Sequence, residues 1–140
     1  MRIIAGEHRG RRLSTPRWDG VRPTSDRLRE TLFNILAPRV AEARVLDVYA
    51  GTGAVALEAL SRGAASAVCI EHDRRATALI AENRARLGAD QRCMILRADA
   101  RRSLDARIDG GPFEIVFLDP PYDVEDLDDQ VAAALAAHGL

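Results

Sequence analysis

Lysine is absent from this sequence: all 20 of its basic side chains are arginines. A GC-rich genome alone can produce that bias. Cysteine is scarce as well. Cys69 and Cys93 are the only two, and both fall inside apolar, strand-like runs, where a small buried thiol is a commoner occupant than a metal ligand or a disulfide. No stretch of about 18 apolar residues occurs. The N-terminus, "MRIIAGEHRGRR", has no continuous apolar segment of signal-peptide length before its arginines. These absences argue against a disulfide-stapled secreted module and a membrane-spanning helix, and lead us to expect a soluble, cytoplasmic protein. Internal repeats and low-complexity linkers are also missing. What remains is 140 residues with 47% hydrophobic content, enough for one domain with an ordinary buried core.

The net charge of -1 conceals an asymmetry. Residues 1–30 carry eight arginines against Glu7, Asp19, Asp26 and Glu30, a net +4, while the rest of the chain stands at -5. An arginine-rich end on a near-neutral domain is what a phosphate backbone attracts. A solvated charged surface has the same composition.

From residue 44 onward, β-branched apolar runs alternate with helical periodicity, the pattern of a parallel sheet with crossover helices. The runs "RVLDVY" (44–49), "SAVCIE" (66–71), "RCMILRA" (92–98) and "FEIVFLD" (113–119) predict four strands. "AVALEALSRG" and "RRATALIAENRARLG" predict helices between them, closed by Gly63 and Gly88. An alanine-rich helix, "QVAAALAAHGL", follows the acidic turn "DVEDLDD". Before residue 44 the pattern changes. Ile3, Ile4, a turn at Gly6 to Gly10 and "RRL" predict a short β-hairpin exposing Arg9, Arg11 and Arg12. "RPTSDRLRETLFNIL" predicts a helix with Thr24 or Ser25 as N-cap and Leu28, Leu32, Phe33 and Leu36 on a core-facing side.

"VLDVYAGTGAVALEAL" places glycines where a strand becomes a helix, and Gly51-x-Gly53-x-x-Ala56 fits the dinucleotide fingerprint. Without a Cβ the backbone turns sharply and lets a nucleotide approach. Glu71 ends the second strand, where it can accept hydrogen bonds from ribose hydroxyls. Asp47 decides between ligands. An acid just before the loop repels a pyrophosphate but suits S-adenosylmethionine, which carries a sulfonium, an ammonium and a ribose but no phosphate; alternatively, Asp47 caps loop amides. Asp99, after the third strand, can accept from an adenine amine while Ala100 offers its N–H to the ring, or Asp99 can cap the next helix.

The fourth strand delivers Asp119-Pro120-Pro121-Tyr122 to the same edge. An exocyclic amine on a nucleobase is a poor nucleophile because its lone pair is delocalised into the ring. Accepting both amine hydrogens, through the Asp119 side chain and the Pro120 carbonyl, favours the geometry in which that lone pair points at an activated methyl. The two prolines fix φ and remove two donors, so the loop presents acceptors at a rigid angle. Tyr122 offers a flat surface for an extruded base.

Together "VLDVYAGTGAVALEALSRGA", "IEHD" and "LDPPY" resemble the Rossmann-like, S-adenosylmethionine-dependent amino methyltransferases of nucleic acids. "RIIAGEHRGRRL", "RPTSDRLRETLFNIL" and "LEALSRGA" narrow the resemblance to the bacterial ribosomal RNA small-subunit methyltransferase D family. It implies an α/β, Rossmann-like class I methyltransferase sheet, mostly parallel, preceded by an N-terminal β-hairpin and helix. It also implies methylation of guanine N2 at position 966 of 16S rRNA, in the small ribosomal subunit or its assembly intermediate, by direct transfer without a metal. Carried over, Asp47, Tyr49, Gly51, Gly53, Glu71, His72, Asp99 and Ala100 would bind the cofactor. Asp119, Pro120, Pro121 and Tyr122 would engage the guanine, and Arg9, Arg11, Arg12, Arg22 and Arg27 would hold RNA. Residues 1–43 would form an RNA-binding extension and 44–140 the methyltransferase domain. Such domains normally continue with three more strands, so the sheet is expected to be truncated after the fourth, with that strand's edge unpaired. Two competing readings are an adenine-N6 DNA methyltransferase, which the same tetrapeptide permits, and a non-catalytic nucleotide- or RNA-binding fragment. An NAD-dependent oxidoreductase is disfavoured by Asp47.

Overall fold

The computed structural model describes residues 1–19, 24–120 and 126–138. Nine elements follow one another: α1 (Asp26–Val40), β1 (Arg44–Val48), α2 (Ala54–Ser61), β2 (Ser66–Glu71), α3 (Arg74–Arg86), β3 (Cys93–Arg97), α4 (Ala100–Leu104), β4 (Ile115–Leu118) and α5 (Leu127–His138). The four strands form one parallel sheet in the order β3-β2-β1-β4. Each predicted strand is present, trimmed by at most two residues at an end. The order reverses at β1, so the carboxyl ends of β1 and β4 flank the crevice where open α/β sheets bind ligands.

Strand alternation divides the core in two. Val45, Ala67, Cys69, Cys93 and Ile115 face α1, α2 and α3, whereas Leu46, Val48, Val68 and Ile70 face α4 and α5. Both cysteines are buried and free, as their apolar runs suggested. Among the described residues no helix is long and apolar enough to cross a membrane. No strand among them covers the outer edge of β4, and α5 exposes Leu127, Val131 and Leu135 at helical spacing.

The N-terminal hairpin is present but minimal. Arg2 and Arg12 form a single antiparallel bridge, supported by Ile3 N–H to the Arg11 carbonyl (2.9 Å) and Leu13 N–H to the Met1 carbonyl (2.9 Å). Its turn lies against the end of α2: Glu7 N–H donates to the Ser61 carbonyl (2.8 Å) and His8 N–H to Ser61 Oγ (2.9 Å). A Cβ on Gly6, at φ +88°, would stand 1.9 Å from the Ser61 carbonyl oxygen, so only glycine permits this approach. Because α2 starts at the carboxyl edge of the sheet, its end places the hairpin turn at the opposite, amino edge. Residues 13–18 then run back along α3, held at Asn83, which bonds Ser14 through both its amide oxygen (2.6 Å) and its amide nitrogen (3.1 Å).

Ser25 caps α1, its Oγ accepting from Leu28 N–H (3.1 Å). The expected core-facing stripe is corrected in one place: Leu28 is 58% exposed, and Arg29 is fully buried. The cause is Glu58, a fully buried carboxylate and the one charged side chain of α2. It accepts from Ile4 N–H (2.9 Å), Ala5 N–H (3.1 Å), Arg29 Nε (3.0 Å) and Arg62 Nε (2.8 Å). Arg29 also reaches the carbonyls of Thr24 and Arg2 and the Asp26 carboxylate. Pairing with Glu58 turns α1 so that Arg29, Phe33 and Leu36, rather than Leu28, define its inner side.

Replacing one partner of a buried ion pair leaves the other charge uncompensated. Glu58→Gln is therefore expected to lower the unfolding free energy by about 3–5 kcal/mol, measured by urea denaturation. A loss below about 1 kcal/mol, the range of an exposed pair, would contradict the structural role assigned to Glu58.

Candidate active site at the carboxyl edge

β1 leads into a loop whose backbone leaves ordinary strand geometry at once. Tyr49 has φ +62°, an uncommon conformation for a side chain of its size and one that clusters at functional sites. Gly53 has φ +78° and caps α2, and a Cβ there would meet Ile80 Cγ2 at 3.0 Å. Backbone conformation and packing both call for glycine at this position. Ala56 is completely buried within α2, so its methyl fills the third position of the fingerprint.

Glu71 is buried and holds the loop from the neighbouring strand. Its Oε1 accepts from Gly51 N–H (3.0 Å) and its Oε2 from Asp73 N–H (2.8 Å), with His72 Nδ1 3.4 Å from Oε2. A carboxylate has about four acceptor positions, so these bonds leave capacity for a ligand hydroxyl. Asp99 is exposed and caps α4 through Arg102 N–H (2.9 Å). The capping alternative is thus realised, and Ala100, as the first residue of α4, has an N–H with no intrahelical acceptor.

Asp47 lies on β1 in register with Cys69 and Phe117 and is 4% exposed. Its Oδ2 is buried with no hydrogen-bond partner among the described residues. Loss of hydration pushes its carboxyl up to about 7; the Ala56 N–H opposes the shift, and the charges of Asp119 and Glu71 add to it. Asp119 is exposed one step beyond the Val48–Leu118 register pair, and Pro120 is half-buried beside it. The carboxyl edge therefore brings together the glycine loop, Asp47, Glu71, Asp99 and Asp119. Pro121, Tyr122 and Arg22 lie outside the described residues.

The hairpin arginines do not share this edge. Arg9, Arg11 and Arg12 are exposed on the hairpin at the amino edge, where Arg11 Nη2 also caps α3 at the Arg86 carbonyl (2.5 Å). Arg27 is exposed in the first turn of α1.

Two supporting groups escaped sequence reasoning. Tyr49 Oη donates to Gln130 Oε1 (2.6 Å), Gln130 Nε2 to Asp126 Oδ1 (3.2 Å), and Asp126 pairs with Arg101 Nε (2.8 Å). This chain joins the glycine loop, α4 and the residue that follows the Asp119 loop. Asn83 bonds the Thr52 carbonyl (3.2 Å) as well as Ser14, tying the N-terminal segment to the glycine loop. Both have a faint sequence signal: an amide in an apolar or alanine-rich helical face.

Asp47 should also be visible in the stability of the ligand-free protein. Between its ordinary 3.8 and about 7, the folded state retains a proton that the unfolded state has lost. Stability is therefore expected to fall as pH rises through that window and to level off above it. Thermal unfolding at pH 5 and pH 8 checks this: Asp47→Asn should lose less in Tm between the two than the parent chain, and equal losses would contradict the assignment.

Comparison with known proteins agrees with this architecture. Residues 1–140 match the family model described as conserved hypothetical protein 95. "Ribosomal RNA small subunit methyltransferase D" of Escherichia coli K12 is 48% identical over 122 residues, covering 87% of this chain and 60% of that protein. Its Haemophilus influenzae namesake is 37% identical over 123 residues, covering 87% of this chain and 64% of that protein. The solved structure named "Putative methyltransferase yhhF from Escherichia coli" superimposes with a TM-score of 0.86 at 44% identity, over 98% of this chain and 73% of that one. This chain thus spans under two thirds of the length of those two curated relatives. From the full-length family match, these identities and the shared class I sheet, the chain belongs to the conserved hypothetical protein 95 family, that of the ribosomal RNA small subunit methyltransferase D.

Proposed function

We propose that the chain methylates the exocyclic N2 of a guanine in 16S ribosomal RNA with S-adenosylmethionine, the base corresponding to guanine 966, within the small subunit or its assembly intermediate in the cytoplasm. The observation that carries the reading is Asp47. A buried carboxylate beside the glycine loop, with an oxygen that has no partner among the described residues, fits a cationic ligand without phosphates. The names of the Escherichia coli and Haemophilus influenzae relatives support the RNA substrate.

When bound, the cofactor supplies a methyl group on a sulfonium. Asp47 would pair with its ammonium, with Gly51 and Gly53 letting it approach the backbone. Glu71 would accept from the ribose hydroxyls with His72 alongside, and Asp99 and the Ala100 N–H would meet the adenine. Tyr49 holds the loop in its left-handed turn through Gln130. Asp119 and the Pro120 carbonyl would accept the two hydrogens of the guanine amine and turn its lone pair out of conjugation. Pro121 would stiffen that loop, and Tyr122 would stack on the base. The amine proton becomes acidic only as the new bond forms, so Asp119 acts by position and need not be a strong base. Residues 1–43 would serve as the RNA-binding extension of the methyltransferase domain, 44–140. They are not a separate folding unit, since Ile3, Leu13, Phe33 and Val40 pack in the same cluster as Val45.

Methyl transfer from labelled cofactor to small subunits lacking the modification, followed by nucleoside mass analysis, tests the reading. N2-methylguanosine at one site is expected, and Asp119→Ala should reduce transfer roughly 10²- to 10⁴-fold while cofactor affinity changes little. Full turnover in that variant would overturn the role of Asp119. N6-methyladenine formed in duplex DNA instead would replace RNA with DNA as substrate, and cofactor binding without any transfer would leave a non-catalytic module.

A further inference from the structure

Along the outer flank of α3 lies a groove of about 710 Å³ that shares no residue with the carboxyl-edge site. Thr15, Arg17 and Trp18 form one wall, and Leu79, Glu82 and Arg86 contribute to the other. We propose that this groove is a second RNA subsite, which stacks one unpaired base on Trp18 and holds an adjoining phosphate with Arg17. The proposal rests on the RNA reading above and adds to it a place on the chain that the arginine-rich composition alone did not single out.

Three observations converge on a nucleotide. The first is the indole. Its Nε1–H is buried without a hydrogen-bond partner among the described residues, and a donor in that position costs free energy until something accepts from it. A base edge or a phosphate oxygen that enters against the indole and uncovers Nε1 would supply the acceptor. The second is the platform: the Arg75 guanidinium lies 4.9 Å from the centre of the Trp18 ring, orienting it by a cation–π contact. Stacking on an aromatic ring is how proteins hold unpaired bases.

The third is charge. Arg17 is exposed and has no anionic partner among the described residues. Glu82, the one acid of the groove, is already engaged by Arg86 Nη2 (3.3 Å) and the Ser14 hydroxyl (2.9 Å). The balance left over is positive and suits a phosphate.

Location gives the groove a purpose. α3 has 13 residues, so roughly 20 Å separates its two ends at 1.5 Å per residue. The hairpin arginines sit by its C-terminal end, and Glu71 and the cofactor loop by its N-terminal end. A strand of RNA reaching from Arg9 and Arg12 to the Asp119 loop along this flank crosses Trp18. The groove accounts for how arginines at the far edge can serve a reaction at the near one.

Trp18 is the chain's only tryptophan, so intrinsic emission reports on this site alone. A fluorescein-labelled, unpaired oligoribonucleotide is titrated into the full chain, with label anisotropy and tryptophan emission recorded together. Quenching that tracks the rise in anisotropy is expected. Trp18→Ala should weaken binding roughly five- to a hundredfold, Trp18→Phe should restore most of it, and Arg17→Ala should reduce the slope of log affinity against log salt by about one. S-adenosylmethionine affinity of the Trp18→Ala protein, expected to be unchanged, shows that the variant is folded. RNA that binds with unaltered tryptophan emission, and binds Trp18→Ala as well as the parent, would overturn the subsite and leave the RNA reading standing. Absence of an anisotropy change with both the oligonucleotide and small-subunit RNA would overturn the two together.

Discussion

Everything else in the structure rests on the buried carboxylate of Glu58. It is the one charge inside α2, and it collects two backbone amides from the N-terminal segment, the guanidinium of Arg29 from α1 and that of Arg62 from its own helix end. A desolvated carboxylate is tolerated only when its acceptor positions are filled, and the chain fills them with groups from three separate segments. The N-terminal hairpin and α1 are thereby locked to α2 and the sheet. The turn of the hairpin then falls on Ser61, and residues 13–18 are directed along α3 toward the carboxyl edge.

At that edge the logic is inverted. Glu58 is saturated, whereas Asp47 is also buried and keeps an oxygen without a partner among the described residues. Its neighbours Asp119 and Glu71 are acids too, and they make ionisation harder still. Such an arrangement lowers stability and invites a cation, the trade that binding sites make elsewhere in proteins. The left-handed Tyr49, held by Gln130, and the tight seat of Gly53 against Ile80 fix the shape of the loop that follows Asp47.

Much of this was legible in the amino-acid sequence because it depends on short-range pattern. Four β-branched runs with helical stretches between them specify the parallel sheet. The Gly51–Gly53 spacing, Asp47, Glu71 and the Asp119 loop each advertise their position by sitting at the end of a strand. Long-range pairing was not legible. Nothing local marks Arg29 as buried or Leu28 as exposed; that choice is made by Glu58, 29 residues away in the chain. The network from Tyr49 through Gln130 and Asp126 to Arg101 was missed for the same reason. The hairpin arginines were read correctly as exposed, but composition carries no information about which edge of the sheet they occupy.

The most direct measurement is a pair of calorimetric titrations at pH 6, one with S-adenosylmethionine and one with NADH, each in two buffers of different ionisation enthalpy. If Asp47 receives a cationic, phosphate-free cofactor, S-adenosylmethionine binds and releases close to one proton, because a carboxyl that titrates at about 7 must ionise to pair with the ammonium. NADH, with its pyrophosphate beside Asp47, binds far more weakly. Tighter binding of NADH, or S-adenosylmethionine binding with no proton released, would contradict the assignment of Asp47 and of the site built around it.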